Sequence, residues 1–96
     1  MIRHLIFLKF KPETTENDIK AIETGLAALP AAIPEIESFE FGRDLVHSKR
    51  SFDFALVSRF KDLDALKRYQ LHPAHQEILV QVRAACTQIL AVDYQV

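Results

Sequence analysis

The stretch Ile2-Arg3-His4-Leu5-Ile6-Phe7-Leu8-Lys9-Phe10-Lys11 alternates in a way that suits an extended chain. Successive strand residues point to opposite faces, so Ile2, His4, Ile6, Leu8 and Phe10 share one face while Arg3, Leu5, Phe7 and Lys9 share the other. Pro12 closes the strand, because its ring removes the next ladder donor. Both faces carry large apolar side chains. A sheet built around this strand has two surfaces to cover, not one.

Outward from that strand, Thr14 or Thr15 offers a helix N-cap, with Glu16 and Asp18 suited to the positive end of the helix. Ile19, Ile22, Leu26 and Leu29 recur at helical spacing, which predicts an amphipathic helix as far as Leu29, left through Pro30 and Pro34. The chain from Ile36 to Asp44 alternates again, with Ile36, Ser38, Glu40 and Gly42 opposite Glu37, Phe39, Phe41 and Arg43. Alternation alone leaves open which of these faces turns inward, and with it whether Glu40 is a buried carboxylate. A polar connection through His47, Ser48, Lys49 and Arg50 leads to a third strand, where Phe52, Phe54, Leu56, Ser58 and Phe60 oppose Ala55 and Val57. The two strands form a hairpin with a loop longer than the tight two-residue type.

Asp62 caps a short helix expected to carry Leu63, Leu66 and Tyr69 inward. His72-Pro73 starts another, since proline is pre-organised for the first helical position. Its apolar stripe is Ile78, Leu79, Val82, Ala85 and Cys86, and Gln88 to Val96 reads as a last strand. The order strand, helix, strand, strand, helix pair, strand predicts an α+β, ferredoxin-like fold: a four-stranded antiparallel sheet with helices on one face. Those helices cover one face only. The other, with Leu5, Phe7, Ala55 and Val57, would expose a patch too large for a comfortable monomer. A two-fold partner packing its own sheet there would bury it, so a homodimer is expected.

Composition narrows the function classes. The chain has 96 residues, enough for one domain spanning 1–96. Its 12 Lys+Arg against 13 Asp+Glu give a net charge of −1, so no global field points to nucleic acid or an anionic membrane. The basic loop His47, Lys49 and Arg50 lacks aromatic interleaving and reads as a solvated hairpin. No apolar run approaches the ~20 residues of a transmembrane helix, and the first residues lack the pattern of a signal peptide. Cys86 is the single cysteine, which excludes an internal disulfide and a cysteine zinc cage. A cytoplasmic location is the expectation. With only Gly25 and Gly42, neither a dinucleotide fingerprint nor a phosphate-cradling loop is present.

Histidines carry the candidate chemistry. His75 falls in the first turn of a helix, where the positive dipole end disfavours a second positive charge and favours a neutral ring able to accept a proton. Tyr69, across the helix boundary, can converge on the same cavity and donate to a developing enolate oxygen. His4 sits on an apolar strand face, where a histidine is more often a satisfied core residue than a catalytic one. Its candidate partners are Tyr69, a backbone carbonyl or Asp93. His4, His72 and His75 make a three-histidine candidate set for a metal, but no carboxylate at helical spacing completes a known signature, so no metal is expected and His72 reads as a cap. Cys86 reads as a small buried hydrophobe.

His4-Leu5-Ile6-Phe7-Leu8-Lys9-Phe10-Lys11, Phe54-Ala55-Leu56-Val57-Ser58-Arg59-Phe60, Tyr69 with His72-Pro73-Ala74-His75, and Val92-Asp93-Tyr94 occur in that order. Together they resemble the stress-responsive A/B barrel domain family over essentially the whole chain. The resemblance implies a ferredoxin-like fold whose sheets pair into a dimeric α/β barrel, without implying one function. Polyketide cyclases of this family perform an aldol condensation in a pocket between sheet and helices. Similarity to them implies His75 as base, assisted by Tyr69 and His4. Leu26 and Phe54 fall where such a cyclase holds a tyrosine and a histidine, which implies a more apolar pocket here.

The expected protein is therefore a homodimeric barrel with a small apolar ligand pocket, its specific activity open. Ile6, Leu8, Leu26, Phe54, Leu56 and Val82 are expected to line the pocket around the catalytic candidates His75, Tyr69 and His4. The expected ligand is small and apolar or carbonyl-containing, with no nucleic acid, no membrane and no cofactor involved. One alternative is a cofactor-independent aldol-type cyclase or lyase with His75 as general base. Another, by fold analogy alone, is a cofactor-free monooxygenase. An open cavity beside His75 and Tyr69 favours chemistry, whereas one packed shut by Phe54 and Leu26 favours a structural role.

Overall fold

The computed structural model describes residues 1–96. In chain order the elements are β1 (Ile2–Phe10), α1 (Glu16–Ala27), α2 (Leu29–Ala32), β2 (Ser38–Arg43), β3 (Phe54–Phe60), α3 (Leu63–Leu71), α4 (Pro73–Ala85) and β4 (Cys86–Gln95). The four strands make one antiparallel sheet in the order β2-β3-β1-β4. This is the ferredoxin-like arrangement, with the helices on one face. The strand that is apolar on both sides, β1, takes an interior place between β3 and β4.

Local signals fix the helix ends. The Thr15 hydroxyl accepts the Asp18 N–H at 3.1 Å while the Asp18 carboxylate accepts the Thr15 N–H at 2.9 Å, a reciprocal capping box. Those bonds from Thr15, its backbone N–H foremost, hold the Asp18 carboxyl below its ordinary range. Asp62 caps α3 by accepting the Ala65 N–H at 2.8 Å. His72 caps α4, its Nδ1 accepting the Ala74 N–H at 3.1 Å.

Several details differ from the sequence expectation. α1 stops at Ala27, and Leu29 begins the separate four-residue turn α2 with Pro30 near its start. Leu63 is 64% exposed, and Ala65 joins Leu66 and Tyr69 on the buried side of α3. At about 100° per residue, a stripe centred on Ala65 and Tyr69 leaves Leu63 far round the helix. Ile36 and Phe52 lie outside the strands. β4 begins at Cys86 with no connector after α4, so Cys86 is a buried strand residue rather than the end of a helical stripe. Burial pushes its thiol pKa up.

The face of β2 left open by alternation is settled by its aromatics. Phe41 stacks on Phe54 with ring centroids 5.7 Å apart, and Phe39 meets Tyr69 at 6.5 Å. Glu40 therefore lies on the outer face and is exposed. The core fills the space between sheet and helices, where Ile33 and Phe60 have no exposed surface. α1 and α4 approach closely at Gly25: a Cβ there would stand 2.4 Å from Ile78 Cδ1. Arg43, at the end of β2, ties the sheet to α1 through Glu16 at 2.8 Å and Glu23 at 2.7 Å.

On the outer face the register aligns Leu5 with Val57 and Val92, and Phe7 with Ala55 and Leu90. Leu90 and Val92 are 49% and 52% exposed, so an apolar patch runs across three strands without a helix over it. No helix is long and apolar enough to cross a membrane.

Candidate functional site

A cavity of about 370 Å³ lies between the sheet and the helices. Sites for small organic molecules span about 300–1,000 Å³, so this one has room for a compact ligand. Strands contribute His4, Ile6 and Leu8 from β1, and Phe54 and Leu56 from β3. Helices contribute Leu26 from α1, Tyr69 from α3, and His75 and Val82 from α4. All nine residues singled out from the sequence thus stand around one open space, and Phe54 and Leu26 do not close it.

The cavity also has walls that the sequence reading did not include, among them Leu79, Arg83, Ile89, Ala91 and Asp93. Their signals were present in the spacing. Leu79 and Arg83 follow His75 at steps of four along α4, the spacing of one helix face. Ile89, Ala91 and Asp93 alternate on β4, and the register sets Asp93 opposite His4 and Ile89 opposite Leu8. His72 is not among the lining residues, because its ring nitrogen is used in the cap of α4.

His4 is buried, with 4% of its surface exposed, and its Nδ1 is hydrogen bonded to the Asp93 carboxylate. An ionised carboxylate only accepts, so Nδ1 carries the hydrogen and Nε2 is the nitrogen left to the cavity. The His4 ring meets the rings of Phe60 and Tyr69 edge-on, both at 6.2 Å.

His75 is arranged in the same sense. Its Nδ1–H donates to the backbone carbonyl of Gln70 at 3.0 Å, which leaves the Nε2 lone pair free in the neutral ring. Burial lowers the His75 pKa; the Gln70 bond opposes this, and the charges of His4 and Arg83 add to the lowering. The ring rests against Tyr69 with centroids 4.5 Å apart.

Tyr69 is 1% exposed, and burial raises its hydroxyl pKa, so the phenol stays protonated and able to donate. The one enclosed side-chain nitrogen or oxygen without a partner is Arg59 Nε. The Tyr69 hydroxyl and His4 Nε2 have no partner in the chain either, so each keeps accessible surface, and both residues line the cavity. An apolar chamber with a donor and two imidazoles at one end can bind a carbonyl compound and move a proton to or from it.

The profile described as Stress responsive A/B Barrel Domain matches residues 2–96. The chain belongs to this family. An uncharacterized protein of Streptomyces coelicolor is 32% identical over 97 residues, covering 99% of both chains. Olivetolic acid cyclase of Cannabis sativa is 26% identical over 95 residues, covering 97% of this chain and 94% of the cyclase. Among solved structures, a dimeric ferredoxin-like protein of unknown function from Thermobifida fusca superimposes with a TM-score of 0.91 at 32% identity, covering 99% of this chain and 90% of that one.

In this stress-responsive A/B barrel domain the remaining candidates lie away from the cavity. Cys86 does not line it. In the basic loop, His47 adopts a left-handed φ of 56°, and its N–H donates to the Asp44 carboxylate at 2.6 Å. That is turn chemistry, since Asp bonding a nearby backbone N–H is a common way to close a loop.

Proposed function

We propose that this chain is a homodimer whose cavity takes a small apolar, carbonyl-containing ligand, and that His75 acts there as general base in cofactor-independent aldol-type chemistry. The observation that carries this reading is the open apolar cavity with Tyr69, His4 and His75 gathered at one end. In the reaction, His75 Nε2 takes a proton from the carbon next to the ligand carbonyl. The C–H electron pair becomes the enolate double bond, and the carbonyl oxygen gains the negative charge. The Tyr69 hydroxyl donates to that oxygen, and His4, oriented by Asp93, packs edge-on against the Tyr69 ring and holds it in place. The enolate carbon then attacks a second carbonyl, and the resulting alkoxide takes the proton back from the His75 imidazolium.

The lowered pKa of His75 supports the base role, because the ring is then largely neutral near pH 7. Similarity to olivetolic acid cyclase is consistent with the reading, and the apolar walls that Leu26 and Phe54 contribute favour an apolar ligand body. The uncovered patch of Leu5, Phe7, Leu90 and Val92 supports the dimer, as does the dimeric relative from Thermobifida fusca. A cytoplasmic site of action fits the lone, buried Cys86, which needs no oxidising compartment.

The test is deuterium uptake at the α-carbon of 2-heptanone in D2O, followed by proton NMR. The intact protein should exceed buffer several-fold, and His75→Gln should return the rate to buffer. Equal rates for protein and buffer, or an unchanged His75→Gln variant, would leave a passive binding module instead. For the dimer, light scattering should give twice the chain mass, and Phe7→Glu should give a monomer. A monomeric parent overturns that part.

A further inference from the structure

The cavity has two ends of different chemistry. α4 begins beside the polar end, where His75 touches Tyr69 and Tyr69 meets His4. It finishes at the far end of β1, where the Lys11 N–H donates to the Ala85 carbonyl at 2.8 Å. Arg83 lies in the last turn of α4 and lines the cavity. At 1.5 Å per residue, it stands about 12 Å along the helix from His75.

Arg83 is the lining residue with a permanent charge that nothing in the chain neutralises. The other charged lining group, Asp93, is engaged by His4, and Arg83 takes part in none of the ion pairs of the molecule. Arg83 is exposed yet lines the cavity, and because helical side chains lean toward the helix N-terminus, its side chain is directed back along α4 toward the His75 end. Its charge is one of the influences felt at His75. The walls between the two ends are apolar: Leu8, Phe54, Leu56, Leu79 and Val82.

Resting on the reading of this cavity as a small-molecule site, we propose that Arg83 is its anion anchor and that the ligand is an apolar organic acid. The carboxylate docks on the planar guanidinium, whose parallel N–H groups match two carboxylate oxygens. The body lies over Leu8, Phe54 and Leu56. The ligand enters in one sense, its carboxylate drawn to the one unpaired cation of the lining and its other end left to Tyr69 and His75. Arg83 therefore sets both the ligand class and the direction in which the reacting carbon is presented to His75.

Isothermal titration with octanoate and with octanamide, which share a chain and differ in charge, tests this at pH 7.5. The intact protein should bind octanoate about ten-fold more tightly than octanamide, the ratio expected for one charge-assisted bond of about 1.4 kcal/mol. Arg83→Gln should remove that preference, the octanoate affinity falling to that of octanamide. Equal affinities in the intact protein, or a preference that survives Arg83→Gln, overturn the anchor and leave the cavity reading standing. If neither compound binds, the cavity reading falls and the anchor with it.

Discussion

The imidazole of His75 hangs from the backbone carbonyl of Gln70, 3.0 Å away, and that single bond selects which ring nitrogen is available to a ligand. A carbonyl can only accept, so Nδ1 must donate and Nε2 keeps its lone pair. Gln70 lies near the end of α3 and His75 in the first turn of α4. The boundary set by His72 and Pro73 thus fixes the tautomer as well as the path of the chain.

Burial places the His75 pKa below its ordinary 6.5. The Cε1 proton should accordingly titrate by NMR with a midpoint under that value. A folded pKa below the unfolded one gives stability that is present above the unfolded value and lost as pH falls through the folded value. The melting temperature of the intact protein should therefore fall more steeply than that of His75→Gln on acidification from about pH 7 to about pH 5. A midpoint at or above 6.5 contradicts the assignment.

Tyr69 separates packing from chemistry. Its ring is 1% exposed and touches His75, Phe60 and His4, whereas its hydroxyl has no partner in the chain. Tyr69→Phe keeps the ring contacts and should change unfolding free energy by less than about 1 kcal/mol. Tyr69→Ala should cost about 3–5 kcal/mol. Deuterium uptake by the ketone should drop at least ten-fold in the phenylalanine variant, and an unchanged rate there would remove the hydroxyl from the mechanism.

Asp93 holds the buried His4 ring by Nδ1. Asp93→Ala strands that donor and should destabilise the fold by about 1–3 kcal/mol in urea titrations. Asp93→Asn, whose side-chain oxygen can still accept, should cost less than half as much. Equal losses would mean that the carboxylate contributes through its charge and not as an acceptor.

Gly25 and Ile78 form a tight contact between α1 and α4. A methyl group at Gly25 would fall 2.4 Å from Ile78 Cδ1, and Ile78 is buried. The helix propensity gained by Gly25→Ala, about 1 kcal/mol, should be offset by displacement of Ile78. Ile78→Val removes the clashing atom. The double variant should be more stable than the sum of the singles by at least about 0.5 kcal/mol, and additivity would show that the helices part freely.

The element order was legible because period-two and period-3.6 patterns are strong in this chain and prolines mark their ends. Pro12 and Pro73, with the caps at Thr15 and Asp62, are local devices that work within a few residues. The inward face of β2 was not legible, since Phe39, Phe41 and Glu40 alternate equally well either way. Packing against Phe54 and Tyr69 settled it. Cys86 and Leu63 were misplaced for a related reason: a helical stripe read from sequence does not say where the helix stops or which side the sheet occupies.

The site divides along the same line. The chemical character of the cavity was readable from local patterns, the apolar face of β1 and the Tyr69-to-His75 segment. Only tertiary structure decided which polar atoms are free. His4 joins Asp93 across 89 positions of sequence, and His75 shares a wall with Arg83 and Ile89. Those pairings follow from strand register and from the way α4 lies along β1, both set by burial summed over the whole core rather than by any local preference.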